Sequence, residues 1–405
     1  MNGQFVRSSL TCAYAIKFRE VNNIMNDSSE KNTFDIMEMA VKTLYNPILQ
    51  DYKKNGGKIV GYYYSYIPEE IITAAGLIPY RIRATNETET DFSDAYFTQI
   101  NCSFVRYNFN MILQNKFNFL DGVVSSNACD HLRRHYDNWS SQKNSPCFHF
   151  MVVPQKKGDA QMEQYCKELF KFKNKIEEQF NIEITDKKLR QAIKIHNKTR
   201  KLQRELYELR KLDNPPVTGA EVMTVMIAGF SMPKTDYNQL LEAFLKDVQT
   251  REIKDTGNVR LMLTGGELDN PELINVIEGQ GAVVVTDMIW YGSRAIIKDV
   301  DEDEKPLQAL AAYYLNNRPA DPRIYGTSFE RFDLIKKLSA DYKVDGIIGV
   351  RLPLCDQYSF DNSDFAQFAK KENLDYLNLE ADYALSNVGQ LKTRVQAFIE
   401  KVSEV

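Results

Sequence analysis

Apolar positions along this chain fall into two rhythms. From Thr33 to Tyr52 they recur every three and four residues (Phe34, Met37, Ala40, Val41, Leu44, Tyr45, Ile48, Leu49), the spacing of one helix face. NGG at 55–57 stops that pattern. KIVGYYYSY (58–66) then reads as a strand, followed by Pro68 and the acidic pair Glu69 and Glu70, which suit the first turn of a helix. The alternation continues with strand LIPYRIR (77–83), a helix over 96–114, strand FLDGVVSS (119–126), a helix over 130–138 and strand CFHFMVVP (147–154). Between residues 157 and 254 strand signals nearly vanish and three or four charged amphipathic helices take over, one of them 186–211, which NPP (214–216) closes. The strand-and-helix alternation returns with VRLMLTGG (259–266), a helix from Pro271, GAVVVTD (281–287), helices over 306–315 and 329–342, VDGIIGV (344–350), a helix from Phe365, LDYLNLE (374–380) and a last helix over 388–402. Strand and helix alternating at this spacing predict an α/β fold: two parallel-sheet lobes of the Rossmann or flavodoxin-like kind, joined by a helical segment. The expected divisions are an N-terminal helical extension (1–57), a first α/β lobe (58–156), a helical connector (157–254) and a second α/β lobe (255–405). No internal repeat is strong at the level of residues.

Composition narrows the class. A chain of 405 residues, 43% hydrophobic and 26% charged, is a globular protein with ample core. Its net charge of −4 gives no basic excess, which argues against nucleic acid as a partner. No apolar run reaches the length of a membrane span. The patch Cys12–Ile16 is followed at once by Lys17, Arg19 and Glu20, so no secretory core forms and a cytoplasmic protein is expected. Six cysteines without any CxxC spacing are too sparse for a disulfide scaffold.

In open α/β sheets ligands sit at the carboxyl ends of strands. That singles out the loops 64–70, 127–134, 265–269, 286–294 and 351–356. Cys129 lies at such a strand end and just before a helix, where the dipole favours thiolate, and Cys355 holds the corresponding kind of position in the second lobe. Cys102 comes early in the preceding helix. Three thiolates meeting from two lobes suit a soft metal or an iron–sulfur cluster, and equally each is an ordinary small buried hydrophobe. Glu69 and Glu70 are either a general base facing the cleft or acids that stabilise a helix start. His131 and His135 share a helix face, but HLRRH lacks the acid of a zinc-protease motif. LTGGELDNP (263–271) permits close backbone approach to an anion and matches neither GxGxxG nor a Walker loop. Trp290, Tyr291 and Arg294 line a pocket or fill a core.

Four segments carry a family resemblance: GYYYSYIPEEIITAAGLIPYRIRAT (61–85), DAYFTQINCSFVR (94–106), FLDGVVSSNACDHLRRHYDNW (119–139) and VDGIIGVRLPLCDQYSFD (344–361). They resemble the cluster-binding subunits of the 2-hydroxyacyl-CoA dehydratase and benzoyl-CoA reductase superfamily, over roughly residues 58–402. CDHLRRHYDNW with DAYFTQINCSFVR looks closer to the benzoyl-CoA reductase branch. The resemblance implies a 4Fe-4S cluster held by Cys102, Cys129 and Cys355. It implies an acyl-CoA substrate, a low-potential one-electron reduction of the benzoyl-CoA type or a dehydration, and an acid/base role for Glu70 or, failing it, Glu69. It further implies pairing with a paralogous subunit or a second copy, and electrons from a separate ATP-hydrolysing iron–sulfur activator, so that ATP is not bound here. The remaining alternatives are a double-cubane-type small-molecule reductase and a non-catalytic cluster-carrying partner. Some members carry an extra cysteine where this chain has Tyr64, which counts against a double cluster; Cys147 is the nearby reserve ligand, and Cys12 and Cys166 are read as structural.

Overall fold

The computed structural model describes residues 32–252 and 259–404; Cys12 and the patch Cys12–Ile16 lie outside them. The amphipathic stretch 33–52 is two helices, α1 (Thr33–Lys42) and α2 (Pro47–Lys54), because Asn46 starts a new one. Its side chain accepts from the Leu49 N–H at 3.1 Å, with Pro47 in the first turn.

Two four-stranded parallel sheets follow. The first holds β1 (Ile59–Tyr62), β2 (Ile78–Arg81), β3 (Gly122–Ser126) and β4 (Cys147–Met151) in the order β2-β1-β3-β4. Between them run α3 (Glu69–Ala74), α4 (Ser103–Leu113) and α5 (Asp130–Ser140). The second sheet holds β5 (Val259–Gly265), β6 (Ala282–Met288), β7 (Gly346–Arg351) and β8 (Tyr376–Glu380) in the order β6-β5-β7-β8. Its helices are α10 (Pro271–Glu278), α11 (Pro306–Ala312), α12 (Ser328–Asp341), α13 (Asp356–Lys371) and α14 (Val388–Ser403). The central strands read as unbroken apolar runs because helices cover both faces of a parallel sheet; β1, β2 and β3 are buried at every residue. The two orders are the same, so the fold repeats although the residues do not. Chain path is set by strand polarity and crossover hand, which leave side chains free to diverge.

The helical segment consists of α6 (Asp159–Phe180), α7 (Asp186–Leu209), α8 (Gly219–Ala228) and α9 (Lys234–Val248). One face of α7 is solvated; the other carries His196, Arg200, Gln203 and Tyr207 into the interior at helical spacing.

Three further expectations change. The helix expected over 96–114 begins at Ser103 behind a short 3₁₀ turn, Ser93–Ala95. The helix expected from Phe365 already begins at Asp356, because Cys355 takes the extended backbone of a cap and Asp356 suits the first turn. The helix expected over 306–315 leaves α geometry at Tyr313 and closes with a π turn, Tyr313–Asn317. Among the described residues no helix is long and apolar enough to cross a membrane.

Candidate functional site

The carboxyl ends of the two sheets face each other. Arg81, last residue of β2, pairs with Glu267 beyond β5 at 3.2 Å, and Tyr291 beyond β6 donates to the same carboxylate at 3.1 Å. Gln357 in α13 reaches back to the Ala128 carbonyl at 2.8 Å, joining the Cys355 and Cys129 segments directly. Gly265 at the end of β5 has φ +154, and a Cβ there would lie 2.2 Å from the Val350 carbonyl oxygen, so only glycine admits β7 so closely.

All three cysteines singled out from the sequence are helix N-caps: Cys102 for α4, Cys129 for α5 and Cys355 for α13. Cys129 follows the third strand of the first sheet and Cys355 the third strand of the second, so they occupy equivalent places in the repeated topology. The start of α4 is tied to α5 by the Cys102 N–H, which donates to His131 Nδ1 at 3.2 Å. The thiols are free and sit within electrostatic reach of one another. Burial pushes the Cys102 thiol well up, and Cys129 and Cys355 push it further. Burial likewise raises Cys129 to about 11 against the Leu132 and His131 N–H groups, and Cys355 to about 12 against the Tyr358 N–H, with Cys129 adding to the rise. The thiolate expected from the helix N-termini is therefore overruled by desolvation while the thiols carry no metal. Among the described residues no three His, Cys, Asp or Glu side chains converge tightly enough to hold one metal ion. A cluster spreads its thiolate ligands over several irons, so this does not bear on it.

Backbone strain flanks the thiols. Tyr64 (φ 71) and Leu354 (φ 60), the residue before Cys355, are left-handed though neither is glycine. Tyr64 stacks on Tyr66 at 5.6 Å and faces Trp290 at 6.1 Å. Trp290 is buried and donates to Asp321 at 2.8 Å, so it is both core and wall. The two histidines of α5 do different work: His131 accepts from Cys102, while His135 is fully buried among Tyr63, Phe97, Phe109 and Trp139. Burial lowers His135 to about 3.

Glu69 and Glu70 open α3, and the structure separates them. Glu69 lines a cavity of about 50 Å³ between the lobes, pairs with Lys234 at 2.7 Å and accepts from the Tyr62 hydroxyl at 2.8 Å. Burial raises its carboxyl, and Lys234 more than reverses that, leaving it below the usual range. Glu70 lies behind the wall, fully buried, held by Arg200 of α7 and by the Tyr314 hydroxyl at 2.8 Å. Burial would raise it; Arg200 outweighs burial and holds it at about 2. His196, beside both, is lowered by burial to about 4 and stays neutral. Arg200, His196 and Lys234 come from the connector, and Tyr314 from the π turn, neither of which a search of strand ends would reach. The available signal was polar residues on the apolar face of α7.

A model of the 2-hydroxyglutaryl-CoA dehydratase D-component family matches residues 64–402. The (R)-phenyllactyl-CoA dehydratase beta subunit of Clostridium sporogenes is 25% identical over 92% of this chain and 99% of its own. The (R)-2-hydroxyglutaryl-CoA dehydratase beta subunit of Acidaminococcus fermentans is 25% identical over 88% and 95%. A benzoyl-CoA reductase subunit of Thauera aromatica is 27% identical over 83% and 87%. Identities this even do not choose between dehydratase and reductase branches.

Proposed function

Because the chain belongs to the 2-hydroxyglutaryl-CoA dehydratase D-component family, we propose that it is a subunit of an acyl-CoA-directed enzyme in which Cys102, Cys129 and Cys355 hold a 4Fe-4S cluster. The observation that carries this is the convergence of three free thiols, one buried and two partly buried, at three helix N-termini. The donor set fits: sulfur alone, all three thiols free, and N–H groups of Val105, Leu132, His131 and Tyr358 already directed at the three sulfurs. When bound, the cluster supplies low-potential single-electron chemistry at the acyl thioester.

The chain's own residues exclude water and set charge. The ring wall of partly buried Tyr64 with buried Tyr66 and Trp290 keeps the cleft dry, which strengthens each electrostatic contact inside it. Of the acidic pair, Glu69 is the one that reaches the cavity and is the better placed to move a proton, through Oε1, which already takes the Tyr62 hydrogen bond. Glu70 positions Arg200 and Tyr314 behind it.

Between the two chemistries, a small cavity walled by Arg81, Arg200, Lys234 and Arg318 favours dehydration of a 2-hydroxyacyl thioester over reduction of an aromatic ring. A paralogous partner subunit and an ATP-driven activator complete the proposal.

The test is iron and acid-labile sulfide content after anaerobic purification, alone and with the partner subunit. About four irons per chain are expected. Cys129→Ala and Cys355→Ala should each lose them while Cys166→Ala keeps them; full iron in the first two variants would remove the ligand assignment.

A further inference from the structure

The loop 318–323 enters between the lobes, and its contacts run to both cysteine segments. Arg323 donates to the Asn127 carbonyl at 3.2 Å, two residues before Cys129, and to the Val153 and Pro154 carbonyls at 3.0 Å. Arg294 donates to the Ala320 carbonyl and, at 2.8 Å, to the hydroxyl of Tyr358, three residues after Cys355. Asp321 stands between these ties. It is fully buried, and its carboxylate accepts from Trp290 Nε1 at 2.8 Å and from the Arg323 N–H at 3.0 Å, so a ring and its own turn fix its position.

Its charge has no direct partner. Glu69, Glu70, Glu87, Glu168 and Asp287, also buried, each have a Lys or Arg within ion-pair distance; Asp321 has none among the described residues. Asp269 shares that lack but lines a different cavity, beside Arg83. Asp321 acts on both Cys129 and Cys355, raising each thiol, whereas Asp130 acts on Cys129 and Asp356 on Cys355, each from the position next to its cysteine. Cys102 instead feels Glu267, whose charge Arg81 balances at 3.2 Å.

This placement answers a conflict in the site. Three helix N-termini surround the sulfurs, and N–H groups of Val105, Leu132, His131 and Tyr358 are directed at them. All of these favour added negative charge and so raise a reduction potential. Single-electron chemistry at an acyl thioester needs a low one. A carboxylate buried beside the sulfurs repels an incoming electron with little screening by water or salt, which opposes the helix ends. We infer that Asp321 is a positioning residue for the redox chemistry: a fixed negative charge, held by Trp290 and Arg323 against the Cys129 and Cys355 segments, that keeps the reduction potential of the bound cluster low. This rests on the cluster reading above and adds what sets the potential of that site.

The experiment is a redox titration of the full chain, purified anaerobically and loaded with iron and sulfide, with titanium(III) citrate as reductant and electron paramagnetic resonance to count reduced clusters. Iron and sulfide are measured on every sample. Asp321→Asn should keep wild-type iron. At the solution potential that half-reduces wild type, its ratio of reduced to oxidised cluster should be about tenfold higher, a shift of about 59 mV to less negative potential. Asp321→Glu restores the charge and should bring the midpoint back towards wild type. Asp321→Ser, neutral and smaller, should reproduce the shift and serves if the Asn variant does not fold. Asp130→Asn removes an acid beside Cys129 whose side chain is 91% exposed, and should change the ratio less than about twofold, because water screens it. An unchanged midpoint in a neutral variant that keeps its iron would overturn the role of Asp321 and leave the cluster standing. A shift that persists in Asp321→Glu would also overturn it, by tracing the effect to the hydrogen bonds with Trp290 and Arg323. Loss of iron from both neutral variants while wild type retains it would make the residue structural and refute the assignment. Wild type without iron or sulfide would remove the cluster reading itself, and with it any potential for Asp321 to set.

Discussion

Replacing Glu70 by Gln isolates one buried charge. The side chain is fully buried, its partner Arg200 is 6% exposed, and Tyr314 keeps a hydrogen-bond acceptor in either variant. The carboxyl stands at about 2 against an ordinary 4.5. At 1.36 kcal/mol per pH unit, its ionisation contributes about 3 kcal/mol to folding at neutral pH. The folded value is the lower one, so the contribution is complete above the unfolded value and is lost as pH falls from about 4.5 towards 2. It has dropped to about 2 kcal/mol by about pH 3.5. Removing one partner of a buried pair costs ~3–5 kcal/mol by general experience, which agrees. The assay is urea unfolding of wild type and Glu70→Gln across that pH range, compared at matched slope. The Gln variant should be less stable by about 3 kcal/mol at pH 7, with the gap closing on acidification. Glu70→Gln combined with Arg200→Met should recover part of the loss, since no lone buried cation remains. A gap under about 1 kcal/mol at pH 7, or one that stays constant on acidification, would refute the reasoning that this pair is ionic and structural.

Two smaller tests concern the helices that carry the thiols. Both His135 ring nitrogens are buried without a hydrogen-bond partner, so His135→Leu should raise stability by about 1–2 kcal/mol in urea; a loss would mean that the ring is hydrogen-bonded after all. Leu354 is 46% exposed and left-handed, with φ 60. Leu354→Gly should therefore stabilise the chain by about 1 kcal/mol, and a lower urea midpoint would show that the side chain, not the backbone, matters there.

Periodicity made the two sheets legible, because parallel strands buried on both faces are short apolar runs that stand out from amphipathic helices. It also placed Cys129 and Cys355 at strand ends, and the structure puts both at helix N-caps. Boundaries depended on capping. Asn46 hid in the middle of an apolar rhythm, and Cys355 is an unusual cap that masked the start of α13. What the chain did not disclose was the charge partner of each site residue. Arg200 lies far from Glu70 in sequence and on a helix whose solvated face is crowded with Lys and Glu, so its inward direction became clear only once α7 was packed against α3. Asp321 sits in NNRPADPR, a loop with no periodicity, and its place beside Cys129 and Cys355 is a property of three dimensions.

The repeated sheet order explains why cysteines so far apart in sequence converge. In each lobe the strand order places a switch point beside the third strand, where neighbouring connections leave in opposite directions and a crevice opens. A residue that caps the helix after that strand sits at the crevice mouth. Lobes set carboxyl end to carboxyl end therefore bring Cys129 and Cys355 together whatever the sequence between them, and α4 delivers Cys102 by the same device. Each helix offers the positive end of its dipole and free N–H groups. In the metal-free chain those contributions lose to desolvation, and the thiols stay protonated. Bound iron would reverse the balance, since a coordinating thiol is deprotonated outright and the helix ends then oppose the repulsion among three thiolates. Loading should accordingly release protons and depend on pH. The fold has placed its N-termini where negative charge would collect.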